Sequence, residues 1–270
     1  MSETNHVIVI GAGAAGMLAA IAAAREGAAV ELWEQNEKPG KKLFITGKGR
    51  CNVTNACDME ELLGSVVSNS KFLYSSFYGF TNQDMMDLLE QAGLRLKVER
   101  GNRVFPQSDK SSDVISALSA LLRQAGVRVC LNQKAEGLAV EEGVCKGVRC
   151  GGRIQTADRV IVATGGLSYP TTGSTGDGLK WAADSGHRLT ELSPALVPFE
   201  VKETETVKEL QGLSLKNIEA AVYDGKKELY REFGEMLFTH FGVSGPVLLS
   251  ASSFCAKAIR KRPLRLVIDL

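Results

Sequence analysis

The chain has 270 residues, with 32 Lys or Arg against 31 Asp or Glu, and 44% of it is hydrophobic. Near-neutral charge argues against a dedicated nucleic-acid or membrane-surface binder, the apolar share excludes a disordered or fibrous chain, and the length suits about two domains. Glycine is in surplus, 28 residues against 7 prolines, so the places where backbone must approach something closely carry the information.

The first long apolar stretch, Val7 to Ala24, is uncharged and about long enough to span a bilayer. No Lys or Arg stands in the five residues before it, Ser2 to His6, and three glycines interrupt it, so it reads as a buried strand entering a buried helix rather than a signal peptide or anchor. Val7-Ile8-Val9-Ile10 is apolar on both faces, as a central parallel strand requires. Gly11-Ala12-Gly13-Ala14-Ala15-Gly16 follows, then a helix-forming run from Met17 to Arg25 that stops near Gly27, then a strand from Ala29 to Trp33 that ends in Glu34. Gly11 suits the tight turn, Gly13 the approach of a pyrophosphate, and Gly16 close packing of helix on strand. The helix N-terminus would face the phosphates with the N–H groups of Ala14 and Ala15. Glu34, 18 residues after Gly16, is placed to accept both ribose hydroxyls and to disfavour a 2′-phosphate. FAD and NAD share this pattern.

Gln35 to Asn55 is basic and glycine-rich. Lys42 and Arg50 are candidates to neutralise a pyrophosphate or a reduced flavin, and Gly47 and Gly49 would let backbone approach the ring. A solvated basic loop is the competing reading. Helical periodicity returns over Gln83 to Gln91 and Val114 to Gln124, and Val127 to Leu131 reads as a further parallel strand. Ala135 to Val140, Val144 to Cys150 and Arg153 to Gln155 form an expected antiparallel meander, followed by a buried strand from Arg159 to Ala163 and the turn Thr164-Gly165-Gly166.

A dinucleotide fold whose crossover is such a meander, closing on Ala163-Thr164-Gly165, resembles the FAD domain of the glutathione reductase and succinate dehydrogenase superfamily. The resemblance implies FAD rather than NAD, with the backbone of Ala135 holding the adenine edge. No His-Ser attachment segment is found, so FAD would be non-covalent. Lys41-Lys42-Leu43 with Thr46-Gly47-Lys48-Gly49-Arg50-Cys51-Asn52-Val53-Thr54-Asn55 narrows this further. So do Leu167-Ser168-Tyr169-Pro170, Gly173-Ser174-Thr175-Gly176-Asp177-Gly178, Pro194-Ala195-Leu196-Val197-Pro198 and Phe238 to Pro246. Together these are similar to the BaiN/RdsA-like FAD-dependent oxidoreductases. That resemblance implies cofactor contacts from Gln35, Thr46, Cys51, Asn52 and Gly166 as well, and NAD(P)H as electron donor. It also implies reduction or dehydrogenation of a small organic substrate by hydride transfer at flavin N5. Chains of this kind continue beyond Leu270 and return to the first domain, so the expected division is a Rossmann-like FAD domain over residues 1–192 and the start of an inserted, mainly β domain over 193–270.

Tyr169 and His240 are the candidate proton donors, with a packing role the alternative for His240. His6 reads as structural, His187 as a helix end and Asp177 as a helix cap. Cys51 and Cys57, with five residues between them, miss the four-residue spacing of a flavin-linked dithiol, and the six scattered cysteines form no C-x-x-C pair. They suit a reduced, cytoplasmic setting. The basic segment Cys255 to Pro263 reads as a solvated face. Two other functions stay open: a binding or regulatory protein in which FAD is structural, and an amine-type flavin oxidase.

Overall fold

Four apolar residues in a row leave Val7 to Ile10 no polar face to give to solvent, and in the computed structural model, which describes residues 4–270, Ile8 and Val9 are fully buried. The chain divides into two compact units, the first ending at Leu189 and the second covering Thr190–Leu270.

The first unit runs β1 (His6–Ile10), α1 (Ala14–Arg25), β2 (Ala29–Trp33), α2 (Lys41–Ile45), β3 (Thr54–Asn55), α3 (Met59–Gly64), α4 (Ser70–Gly79) and α5 (Asn82–Gln91). It continues through β4 (Leu96–Glu99), β5 (Arg103–Pro106), α6 (Ser111–Gln124), β6 (Arg128–Cys130), β7 (Gly137–Glu141), β8 (Val144–Cys150), β9 (Arg153–Thr156), β10 (Arg159–Val162) and α7 (Asp177–Asp184). Its main sheet has the order β10-β1-β2-β6 with every pair parallel, and β10, expected to be buried, is instead a half-exposed edge strand because only β1 flanks it. Alternation along β1 sends Val7 and Val9 toward a core shared with Met17, Ala20 and Ile21 of α1 and with Val114, Leu118, Leu121 and Leu122 of α6. Ile8 and Ile10 face the opposite core, with Trp33, Ala135, Val148 and Trp181. Each such fully buried aliphatic side chain contributes about 1.5–3 kcal/mol.

The meander β7-β8-β9 is antiparallel throughout. Gly147 is required there, because a Cβ would lie 2.0 Å from the Gln155 carbonyl oxygen. No sequence pattern flagged the small sheet β3-β5-β4, whose strands have two to four residues, one ending in a proline. α5 starts where a Thr81–Asp84 capping box closes its first turn. α7 ends when Gly186, in left-handed backbone, donates to Ala183 and His187 to Ala182, which is a Schellman closure made by the His187 backbone.

The second unit runs β11 (Phe199–Glu200), α8 (Thr204–Glu209), β12 (Ser214–Asp224), β13 (Lys227–Phe238), β14 (Gly242–Ser244), α9 (Pro246–Ile259) and β15 (Arg265–Asp269), with sheet order β11-β14-β13-β12-β15. Pro246 opens α9, whose Val247, Leu248, Ala251 and Cys255 pack on Ile218, Ala220, Val222 and Met236. The expected basic face is partly paired instead: Arg260 bridges to Glu191 at 2.6 Å and Arg262 to Asp224 at 2.5 Å. Among the described residues no helix is long and apolar enough to cross a membrane.

Candidate cofactor cavity

With the central strands covered on both faces, the sheet offers its strand ends, and a cavity of about 400 Å³ opens at the carboxyl ends of β1, β2 and β10. Its floor is the glycine turn. Gly11 adopts left-handed backbone, and a Cβ there would lie 2.5 Å from the Ala163 carbonyl oxygen; a Cβ on Gly16 would lie 1.7 Å from the Gly11 carbonyl oxygen. Those two glycines are therefore demanded by the protein's own packing. Gly13 is different: its φ is −79° and an added Cβ would meet nothing within 4 Å. Helix α1 begins beside it with no side-chain cap and no acidic residue in its first turn. Its leading N–H groups and positive dipole end face the cavity, a setting that suits a diphosphate.

Glu34, 9% exposed, accepts from the Ala12 N–H on Oε2 at 2.9 Å and, on Oε1, from the Asn36 N–H at 2.9 Å and Asn36 Nδ2 at 2.6 Å. Three of its roughly four lone-pair directions are thus taken. One acceptor direction remains on Oε2, so a single hydroxyl fits without rearrangement, and a second would have to displace Asn36 Nδ2.

Of the residues expected at a cofactor, Gly11, Gly13, Ala14, Ala15, Glu34, Gln35, Lys42, Thr46, Ala135, Ala163, Thr164 and Gly165 line this one cavity. Gly16 lies beneath its floor. Gly47, Cys51, Asn52 and Gly166 are outside the lining. Arg50 is turned away as well. Its guanidinium sits 2.5 Å from Glu99, 2.6 Å from Asp109 and 4.1 Å from the centre of the Phe105 ring. Lys97 completes this cluster at 2.6 Å from Asp109. Hydrogen bonds from Arg50 to Glu99, and from Lys97 and Arg50 to Asp109, hold both carboxyls below the usual carboxylate range. The cluster anchors a loop in which Lys48 and Cys51 both carry positive φ.

Cys51 is 2% exposed, burial pushes its thiol up, and it and Cys57 are both free. Asp177 is the first residue of α7 rather than its cap, and its carboxylate accepts from the Thr175 hydroxyl at 2.9 Å. Tyr169, in left-handed backbone, is 64% exposed and outside the lining. His240 belongs to the second unit and meets Phe241 edge-on at 4.9 Å. The lining also includes residues not expected at a cofactor: Ile10, Ala12, Trp33, Lys41, Leu43, Gln133, Thr172, Gly173, Ser174, Asp177 and Trp181. Lys41 and Leu43 stand in the Lys41-Lys42-Leu43 motif and Gly173, Ser174 and Asp177 in the Gly173 to Gly178 motif, and those motifs were the available signal.

The model of the HI0933-like protein Rossmann domain matches residues 5–254. The chain belongs to that family. Among its relatives, it is 36% identical over 94% of its length to a 3-dehydro-bile acid delta(4,6)-reductase from Clostridium scindens. It is 30% identical over 93% of its length to a ribosomal RNA dihydrouridine synthase from Escherichia coli. Each alignment covers 61% of the relative, so the chain spans about three fifths of their length. Among solved structures, a flavocytochrome c3 fumarate reductase superposes with TM-score 0.58 at 24% identity, covering 80% of this chain and 47% of that one. A 3-ketosteroid delta1-dehydrogenase from Sterolibacterium denitrificans gives 0.56 at 17% identity, covering 79% and 62%. Those two likenesses establish the HI0933-like fold as a Rossmann-type α/β fold.

Proposed function

We propose that this HI0933-like chain is the FAD-binding part of an oxidoreductase that reduces a ring carbon–carbon double bond conjugated to a carbonyl. The carrying observation is Gly13. It is a glycine that neither backbone conformation nor protein packing requires, set against the uncapped N-terminus of α1 and beside Glu34. The α1 N–H groups and Gly13 hold the diphosphate, Glu34 takes a ribose hydroxyl, Ala135 faces the adenine, and Ala163 to Gly165 form the wall.

When bound, FAD supplies the hydride chemistry, with NAD(P)H the proposed donor. The substrate class follows from the reactions for which the two relatives are named. A 3-dehydro Δ4,6 bile acid and the uracil ring of uridine are both α,β-unsaturated carbonyl systems, and both products gain two hydrogens. The protein orients that ring and furnishes a proton to the atom next to the one reduced, with Tyr169 the candidate within the first unit. A small molecule is the first substrate to try and an RNA the second.

The test uses Gly13→Ala. It is expected to melt within about 2 °C of the wild type while binding FAD at least about 100-fold more weakly, measured by flavin retained after gel filtration. Full retention would sink the site. For the donor, anaerobic NADH or NADPH should bleach the bound flavin; no bleaching by either would remove NAD(P)H from the reading.

A further inference from the structure

Lys42 has the charge to neutralise a diphosphate, yet its Nζ is spent elsewhere. It donates to the Ser168 carbonyl at 2.7 Å and to the Ser174 hydroxyl at 2.6 Å. These two acceptors are the ends of one segment, residues 168–174, which holds a single 3-10 turn at Pro170–Thr172 flanked by left-handed Tyr169 and Gly173. Its middle is tied from the loop after β2: Gln35 Nε2 donates to the Gly173 carbonyl at 3.0 Å, and Asn36 Nδ2 to the Thr172 carbonyl at 3.2 Å. Thr172, Gly173 and Ser174 line the cavity, so the segment is a strap along one wall, held by three side chains from another part of the chain.

Close approach is built into this strap. A Cβ on Gly173 would stand 2.8 Å from Gln35 Nε2 and 3.1 Å from Asn36 Nδ2, and a Cβ on Gly165 would stand 2.6 Å from Ser174 Oγ. Within the strap the bonds are few: Thr172 and Gly173 N–H groups to Tyr169 and Pro170, and the Thr172 hydroxyl to Tyr169. A segment with so little internal bonding opens locally unless outside ties hold it. Asn36 also joins the strap to the acid, because the same Nδ2 that reaches Thr172 donates to Glu34 Oε1.

We infer that Lys42 is a positioning residue: it latches the strap shut beside the adenosine end of the cavity and so sets how fast FAD leaves. The inference rests on the FAD reading of that cavity. It differs from a phosphate contact in that both Lys42 acceptors are neutral.

The experiment follows FAD release from the holoprotein by flavin fluorescence after dilution. Lys42→Met and Ser174→Ala should each raise the release rate about 10- to 100-fold with association little changed. The double variant should exceed Lys42→Met only slightly, because both changes break the same latch. Lys42→Arg should restore most of the slow release. The ratio of variant to wild type should hold between about 0.05 and 0.5 M salt, where a phosphate ion pair would fade. In flavin-free protein, amide hydrogen exchange over residues 168–176 should speed up in Lys42→Met. Additive effects, a ratio erased by salt, or unchanged exchange would overturn the latch. If the wild type holds no FAD, the cofactor reading falls while the exchange measurement still decides the latch.

Discussion

In the first unit the parallel sheet is covered on both faces, by α1 and α6 on one side and by the meander with Trp181 on the other. In the second, α9 covers one face of the antiparallel sheet, and the other carries Arg231 hydrogen-bonded to Glu219, Glu228 and Tyr223. The difference decides where chemistry can sit. A doubly covered sheet has only its strand ends to offer, so the HI0933-like unit concentrates its glycines and its buried acid there. A half-covered sheet leaves room on its other face for charged side chains, where Arg231 is neutralised by Glu219 and Glu228.

The largest expected effect tests the packed floor of the first unit. Gly16→Val places carbon where the Gly11 carbonyl stands, and should abolish that unit's cooperative melting and soluble yield. Next, Leu248→Ala opens a cavity behind fully buried Leu248 and should cost about 2–5 kcal/mol in chemical denaturation, with FAD affinity unchanged. A parallel loss of flavin would break the separation between the units. Glu34→Ala removes the acceptor of three hydrogen bonds. It should weaken FAD about 10- to 100-fold and cost about 1–3 kcal/mol of stability for the N–H groups left unpaired.

The smallest effect concerns pH. Glu99 and Asp109 have depressed carboxyls in the folded state, so their contribution is complete above the unfolded carboxylate value of about 4 and is lost as pH falls through the lower folded values. The melting temperature should decline on acidification from about pH 5 toward 3, and Arg50→Met should flatten that decline. Exposure keeps the effect small.

What was legible in the sequence shares one property: it is local. The strand–turn–helix of Val7 to Arg25 announces itself because apolar faces and glycine spacing repeat within a few residues, and the meander because turns and alternation do. Arg50 is turned from the cavity by partners 49 and 59 residues away, and Lys42, which does line it, meets acceptors 126 and 132 residues away that no local pattern announces. A loop lysine among glycines looks the same in sequence whether it meets a phosphate or a carbonyl. The sheet β3-β5-β4 was invisible for the opposite reason, since its strands are too short to show a period.

The pairing of β1 with β10 sets a schedule for biosynthesis. Val7 lies opposite Arg159, and the turn that Gly11 makes is roofed by Ala163, so the cavity cannot exist until about three fifths of these 270 residues have been translated. Contacts so distant along the chain are slow to form. Until then the apolar β1, which must end between two partners, stays without one of them, and an emerging HI0933-like chain has its greatest need of a chaperone in that interval.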